Sequence, residues 1–245
     1  MQTDHGPAKV RLHVAQPLGA GQAIALSQEH AHYLFTVLRL QAGAKIGLFD
    51  GRNGEWLAEL AQITKRGAQA ICQHQTRPQQ NPQDLWLLFA PIKKARTDFI
   101  VEKATELGAA RILPVQTDFT NAERIRQDRL QAHATEAAEQ CGGTHVPTVE
   151  ALQPLSRLLD KWPAGRALIW CDENLSGIPG ARADLPPAPA ALLIGPEGGF
   201  SPPERARLRG LAGVTSLSLG PRILRADTAA VAALTLWQAA QGDWV

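Results

Sequence analysis

The sequence predicts an α/β protein in two parts, a C-terminal α/β domain on a mostly parallel sheet preceded by a small β-barrel. Three observations carry this expectation. The segment Thr76-Arg77-Pro78-Gln79-Gln80-Asn81-Pro82-Gln83-Asp84 has two prolines and no large apolar side chain, so it reads as a linker. Before it, short alternating runs are separated by turn residues, the pattern of many short strands. After it, continuous apolar runs alternate with helical periodicity, which is the pattern of parallel strands covered on both faces. The expected domains are residues 1–76 and 84–245.

In the first part, Lys9–Ala15 alternates, with Val10, Leu12 and Val14 on one face. Ser27 precedes a helical stretch in which Tyr33, Leu34, Val37 and Leu38 form a stripe. Lys45–Phe49 reads as a strand, and Asp50-Gly51-Arg52-Asn53-Gly54 as a turn. Glu55–Leu60 and Ala68–Cys72 are further strands. In the second part, Leu85–Ala90 is an apolar strand, followed by a helix over about Ala95–Gly108 and a strand at Arg111–Val115. A long helix is expected from about Asn121 to Cys141. Strands follow at Ala167–Cys171, Ala191–Ile194 and Val214–Leu219, with the Pro-rich loop Ile178–Pro189 before the second of them. A helix around Thr228–Ala240 closes the chain.

The composition excludes several classes. The chain has 245 residues, 44% apolar and 20% charged, which is ordinary globular usage. No apolar run approaches the roughly 18–20 residues of a membrane span, and the N-terminus lacks the apolar core of a signal peptide. A cytoplasmic protein is expected. Cys72, Cys141 and Cys171 lie far apart with no metal-ligand spacing, so reduced thiols and no metal are expected. His30 and His32 are two apart, on different helix faces, which also argues against a shared metal. Net charge is +2, but residues 1–80 hold 8 Lys/Arg against 5 Asp/Glu and five of the seven histidines. That bias suits polyanion binding, and a solvated surface accounts for it equally well.

Two segments carry chemistry. In the first, a buried strand ends at Leu193-Ile194 and runs into Gly195-Pro196-Glu197-Gly198-Gly199-Phe200-Ser201. Ser201-Pro202-Pro203-Glu204 is a capping box with proline at the first helical positions, so a helix starts there. Glycine lets backbone approach a ligand, and α/β proteins bind cofactors beyond the carboxyl ends of parallel strands. A structural tight turn is the plainer alternative. The loop lacks the lysine of a phosphate loop and does not match GxGxxG. The second segment, Leu217-Ser218-Leu219-Gly220-Pro221-Arg222-Ile223-Leu224-Arg225-Ala226-Asp227-Thr228-Ala229, repeats the design. Arg222 and Arg225 lie near a helix N-terminus, where a cation gains nothing from the helix dipole. Either they pair with Asp227 or Glu197, or an anionic group comes to this point. Lys93, Lys94 and Arg96 precede the acidic residues of the next helix, as a phosphate contact or as part of a solvated face.

These two C-terminal motifs resemble the RsmE family of ribosomal RNA uridine-N3 methyltransferases, within the knotted SPOUT superfamily. The resemblance spans the chain. It includes His32-Tyr33-Leu34, Val37-Leu38-Arg39 and Leu48-Phe49-Asp50-Gly51, then Lys103–Gly108 and Glu136–Gly142. Two positions depart from the family pattern: Gly143-Thr144 where arginine usually follows Gly142, and Asp227 where glutamate is usual. The resemblance implies a PUA-like RNA-binding barrel and a SPOUT-type domain with a deep trefoil knot. It implies S-adenosylmethionine as cofactor, 16S rRNA in the small subunit as substrate, and a homodimer. The spread of Val231, Leu234, Leu236 and Trp237 round the final helix supports the dimer, although both faces could pack within one chain. Carried onto this sequence, the cofactor falls to Leu193, Ile194, Gly195, Pro196, Glu197, Gly198, Leu217, Ser218, Leu219, Gly220, Ile223 and Leu224. RNA contacts fall to Arg11, His32, Arg39, Lys93, Lys94 and Arg96.

The chemistry follows from the substrate. Neutral uridine carries a proton at N3, and that proton must leave before or during methyl transfer. A guanidinium nearby would stabilise the uracil anion, and Arg225, supported by Arg222, is the candidate. No cysteine nucleophile is needed, because a nitrogen attacks. Competing readings are a ribose 2′-O-methyltransferase of the same superfamily, another SPOUT target, and a non-catalytic RNA-binding assembly protein. The last would not need the glycine loops. A nucleotide-dependent oxidoreductase lacks its fingerprint.

Overall fold

The computed structural model describes residues 8–64, 67–121, 124–175 and 185–244. The chain forms two compact units. The N-terminal unit contains β1 (Arg11–His13), β2 (Ala23–Leu26), α1 (Gln28–His32), β3 (Lys45–Phe49), β4 (Glu55–Thr64) and β5 (Gly67–Arg77). Its five strands lie in the order β1-β3-β4-β5-β2. β1 runs parallel to β3 and the other pairs are antiparallel. Alternation places Leu12, Ile24, Leu26, Ile46, Leu48, Ala58, Leu60, Ala70 and Cys72 in one buried cluster. Ser27 caps α1 by accepting from the His30 amide, and the helix passes into a π-helical turn over Tyr33–Val37 that seats Leu34 in that cluster.

β4 and β5 run several residues past the apolar segments that foreshadow them. Polar Gln73–Arg77 stays in the ladder because its main chain pairs with Glu55–Leu57 while its side chains remain largely exposed. The N-terminal unit also takes in Ala138–His145, which a single linear boundary assigns to the other domain. Arg11 explains why. Its guanidinium donates to the carbonyls of Ala138 (2.9 Å), Glu139 (2.8 Å) and Gly143 (2.7 Å), supplying donors that a helix C-terminus lacks. The Glu139 carboxylate in turn accepts from the His13 amide at 2.8 Å.

The same guanidinium pairs with Glu55 at 2.6 Å, and Arg77 reaches the same carboxylate oxygen at 2.5 Å. The side chains of Glu55 and Arg11 are only 1% and 9% exposed. Burial opposes ionisation of Glu55, but the hydrogen bonds from Arg77 and Arg11 outweigh it, so the carboxyl is held below its usual range. Glu55→Gln leaves Arg11 buried without a counter-charge, and is expected to cost about 3–5 kcal/mol in denaturant unfolding. A folded-state value below the unfolded one gives stability that is present above the unfolded carboxylate range, near pH 4, and lost as pH falls through the folded value. The gap between wild type and variant should therefore close in acid. A gap that persists at pH 3 would show that shape, not charge, sets the loss.

The C-terminal unit contains β6 (Leu85–Phe89), α2 (Lys94–Glu106), β7 (Arg111–Gln116) and most of α3 (Gln127–Cys141). It continues with β8 (Thr148–Val149), β9 (Gln153–Pro154), α4 (Leu155–Asp160), β10 (Ala167–Cys171) and β11 (Ala190–Ile194). α5 (Pro202–Gly210), β12 (Val214–Leu217) and α6 (Ala226–Gln241) complete it. The sheet is parallel throughout, in the order β12-β10-β11-β6-β7-β8, with β9 also on β7. Period-2 alternation divides each strand between two cores. Ile169, Cys171, Leu192 and Ile194 face α2, α3 and α6, whereas Leu168, Trp170, Ala191 and Leu193 face α4 and α5. α3 begins six residues later than its periodicity suggests, and Ala122 and Glu123 lie outside the described residues. β12 ends at Leu217, not Leu219, because Ser218 leaves the ladder and its hydroxyl donates to the Leu175 carbonyl at 2.8 Å. Most of the Pro-rich loop before β11, residues 178–184, lies outside the described residues.

Candidate active site

The carboxyl ends of β10, β11 and β12 open into a cleft on the face that α6 covers. The floor is apolar: Ile194 and Leu217 end their strands there, Leu219, Ile223 and Leu224 come from the second loop, and Ala226 and Ala229 from the start of α6. Gly195, Pro196, Glu197 and Gly199 form the facing rim, and Arg222 enters from the second loop. Both glycine-bearing segments thus line one cavity.

The capping box fixes the first loop. Ser201 Oγ accepts from the Glu204 amide, and the Glu204 carboxylate accepts from the Ser201 amide at 2.9 Å. The Ser201 hydroxyl also donates to Asp118 at 2.5 Å. Gly195 gives its space to the protein as well as to the cleft: a Cβ there would stand 2.7 Å from the Phe200 ring, which packs edge-on against Trp170. Gly199 has φ +70, and a Cβ on it would overlap the Glu173 carboxylate.

Four residues expected to hold a cofactor do not line the cleft. Leu193 points to the opposite face of the sheet, into the core with Trp170 and Phe200, because its neighbour Ile194 takes the cleft side. Gly198 lies against Phe119, where a Cβ would come to 3.3 Å. Ser218 is buried and bonded to Leu175. Gly220, at φ +103, turns the loop, with no atom within 4 Å of where its Cβ would stand. Leu193, Ser218 and Gly220 shape the site through the backbone. Arg225 is exposed at the N-cap of α6 and also lies off the cleft wall.

Sequence reasoning missed the end of β10. Cys171, Asp172 and Glu173 line the cleft because β10 lies between β11 and β12, an order that periodicity does not reveal. Burial pushes the Cys171 thiol up to about 12, so it carries no thiolate at neutral pH. Asp172 is 5% exposed and pairs with Arg205 of α5 at 2.6 Å; Arg205 also pairs with Glu173. The acidic strand end is thereby bound to the helix that follows the glycine loop.

The expected ion pairs of the two loops also change partners. Glu197 and Asp227 both flank Arg96 of α2, at 3.8 and 3.7 Å, and Arg96 Nη1 is buried without a hydrogen bond among the described residues. The structure thus gives Arg96 a place between the two loops. Lys93 and Lys94 stay exposed at the start of α2, as do His32 and Arg39 in the N-terminal unit. Arg39 adopts φ +56, so its side chain leaves the helix end in a left-handed conformation. Arg11, expected as an RNA contact, is only 9% exposed and directs four of its five donors to Glu55 and three carbonyls. Among the described residues, no group of three or more His, Cys, Asp or Glu could hold a metal.

Known proteins share this fold. The family model of the RNA methyltransferase domain matches residues 79–238, and that of the RNA methyltransferase PUA domain matches residues 26–71. A ribosomal RNA small subunit methyltransferase E of Rickettsia conorii is 30% identical over 228 residues, covering 91% of this chain and 93% of its own. One from Synechocystis is 34% identical over 233 residues, covering 91% and 75%. The crystal structure of a ribosomal RNA small subunit methyltransferase E from Neisseria gonorrhoeae, bound to S-adenosyl methionine, superposes with a TM-score of 0.86. It is 29% identical, over 96% of this chain and 99% of that one. The motifs, the two domain matches and the full-length likeness agree: the chain belongs to the ribosomal RNA small subunit methyltransferase E family of RNA methyltransferases.

Proposed function

We propose that this chain methylates N3 of a uridine in 16S ribosomal RNA, with S-adenosylmethionine as donor and the small subunit as substrate. The observation that carries the reading is the convergence of both glycine loops on one apolar-floored cleft beyond parallel strands. The cleft fits the cofactor in character: Ile194, Leu217, Leu219 and Leu224 offer an apolar seat for its adenine, and the backbone at Gly195 and Pro196 offers polar edges. Bound there, the cofactor supplies an activated methyl group on a sulfonium.

The protein's own residues do the rest. The loops orient the uracil ring against the cleft and exclude water. Arg222, on the wall, and Arg225, exposed at the N-cap of α6, stabilise negative charge on the base as the N3 proton leaves. Arg96 balances Glu197 and Asp227, so neither carboxylate repels the forming anion at full strength. Calorimetry tests the cofactor: S-adenosylmethionine should bind at one site per chain and NADH should not. Tight NADH binding with none for S-adenosylmethionine would favour a redox enzyme and defeat the proposal.

The N-terminal unit is the RNA-binding module in this reading, through the exposed His32 and Arg39. Arg39→Gly removes the side chain while suiting the left-handed backbone. It should weaken RNA binding, reduce the salt dependence by about one phosphate contact, and leave the melting temperature unchanged or raised. An unaltered salt slope would remove Arg39 from the interface. The same reading includes a cytoplasmic homodimer and a trefoil-knotted chain path. Half-buried Val231 and Leu236 on α6, and Ile223, 78% exposed, leave apolar surface for a second copy. A monomeric mass by light scattering with full activity would remove the dimer.

A further inference from the structure

We infer that a basic pocket beside the cofactor cleft binds a backbone phosphate of the RNA next to the target uridine, an inference that rests on the function proposed above. The first turn of α2 and the segment leading into α3 border an open hollow. Lys94 and Thr97 stand on one side, and Arg124, Arg126 and Arg129 on the other. Among the described residues, no acidic side chain lines it directly. Arg126 and Arg129 already pair with Asp128 and Asp98. Lys94 and Arg124 are exposed and make no ion pair among the described residues, so theirs is the charge left for a ligand. The pocket also faces the start of α3, a 15-residue helix whose N-terminal amides add positive potential.

Its position selects the ligand. Ile92 lines this pocket and also a second hollow, with Lys93 and Asn121. The far wall of that second hollow is Pro196 and Glu197, which also wall the cofactor cleft. The three hollows therefore adjoin one another across shared walls and mark a path over the surface, with an apolar cofactor seat at one end and, at the other, cations that make no ion pair among the described residues. A polynucleotide whose base reaches the cleft leaves its adjoining backbone along that path. An isolated small anion would need only one cavity. Thr97 is not free to help, since its hydroxyl is bonded to the main chain of Ile92.

The test uses the full chain and a fluorescent single-stranded oligoribonucleotide, with binding followed by anisotropy as a function of salt. Lys94→Ala with Arg124→Ala should lower the slope of log affinity against log salt by about 0.7, the value for one single-strand phosphate contact. Lys94→Arg with Arg124→Lys should keep the wild-type slope. With small subunits as substrate, the alanine pair should raise KM more than it lowers kcat, and S-adenosylmethionine affinity by calorimetry should not move. An unchanged slope in the alanine pair overturns the pocket. So does full displacement of the RNA by inorganic phosphate at constant ionic strength, which would mark a free-anion site. If wild type transfers no methyl to small subunits, the enzymatic reading fails, while the salt slope still decides whether this pocket holds RNA.

Discussion

Arg222→Ala is expected to lower turnover by about 10²–10³, the range for one lost electrostatic donor at a reacting centre. Arg222 is the arginine that the structure places on the cleft wall, beside Ile223 and Leu224. Arg225 stands three residues on, exposed at the N-cap of α6, and its removal should cost less. No ion pair of either arginine with Glu197 or Asp227 is seen; both carboxylates flank Arg96 instead. Among the described residues neither guanidinium makes an ion pair, which leaves both for a developing uracil anion, and neither substitution should change S-adenosylmethionine affinity by more than a few fold. Arg222→Lys should restore part of the rate, since one ammonium cannot reproduce the guanidinium fork. As the assay pH approaches the uracil pKa, the anion forms unaided, and Arg222→Ala should rise towards wild type. Equal rates at neutral pH would clear Arg222 and make Arg225 the electrostatic residue. A loss of rate that pH does not repair would point to a structural role.

Gly199→Ala is expected to damage both stability and cofactor affinity. The backbone at Gly199 has φ +70, and the added methyl would overlap Glu173 and approach Arg205 Nη2 at 3.3 Å. A non-glycine residue held there costs about 1–3 kcal/mol. Displacing Glu173 also breaks its pair with Arg205 and moves a carboxylate that lines the cleft. Affinity for S-adenosylmethionine should fall at least about tenfold, roughly 1.4 kcal/mol. Thermal unfolding with and without the cofactor separates the two losses, because a ligand that binds only the native state raises the melting temperature in proportion to its affinity. A variant that melts and binds like wild type would show that the loop relaxes without reaching the site.

The parts of the fold with local causes were legible in the sequence. Apolar runs marked β6, β10 and β11, and Ser201-Pro202-Pro203-Glu204 marked the start of α5, because strand burial and helix capping act within a few residues. The two loops announced themselves by glycine beyond a buried strand. Long-range pairing was not legible. Arg11 reads as a surface cation, yet it caps carbonyls more than 120 residues away. Asp172 and Glu173 carry no motif; they reach the cleft because β10 pairs between β11 and β12. Leu193 was assigned to the cofactor by adjacency, although strand alternation turns it into the opposite core. β8, β9 and α4 were missed because the two strands have two residues each and the helix six, too short for periodicity to register. Arg96 looked like one cation in a charged helix face, and only the folded sheet brings Glu197 and Asp227 to it.

The central claim is methyl transfer to a uridine nitrogen, and nucleoside analysis tests it most directly. Small subunits from a strain lacking this activity would be incubated with the protein and methyl-labelled S-adenosylmethionine, the 16S RNA digested, and the labelled nucleoside identified by mass spectrometry. The account predicts one labelled product, 3-methyluridine, from a single position, lost in Arg222→Ala at neutral pH. Label on a ribose 2′-oxygen or on another base, or no transfer by a protein that binds S-adenosylmethionine, would contradict it.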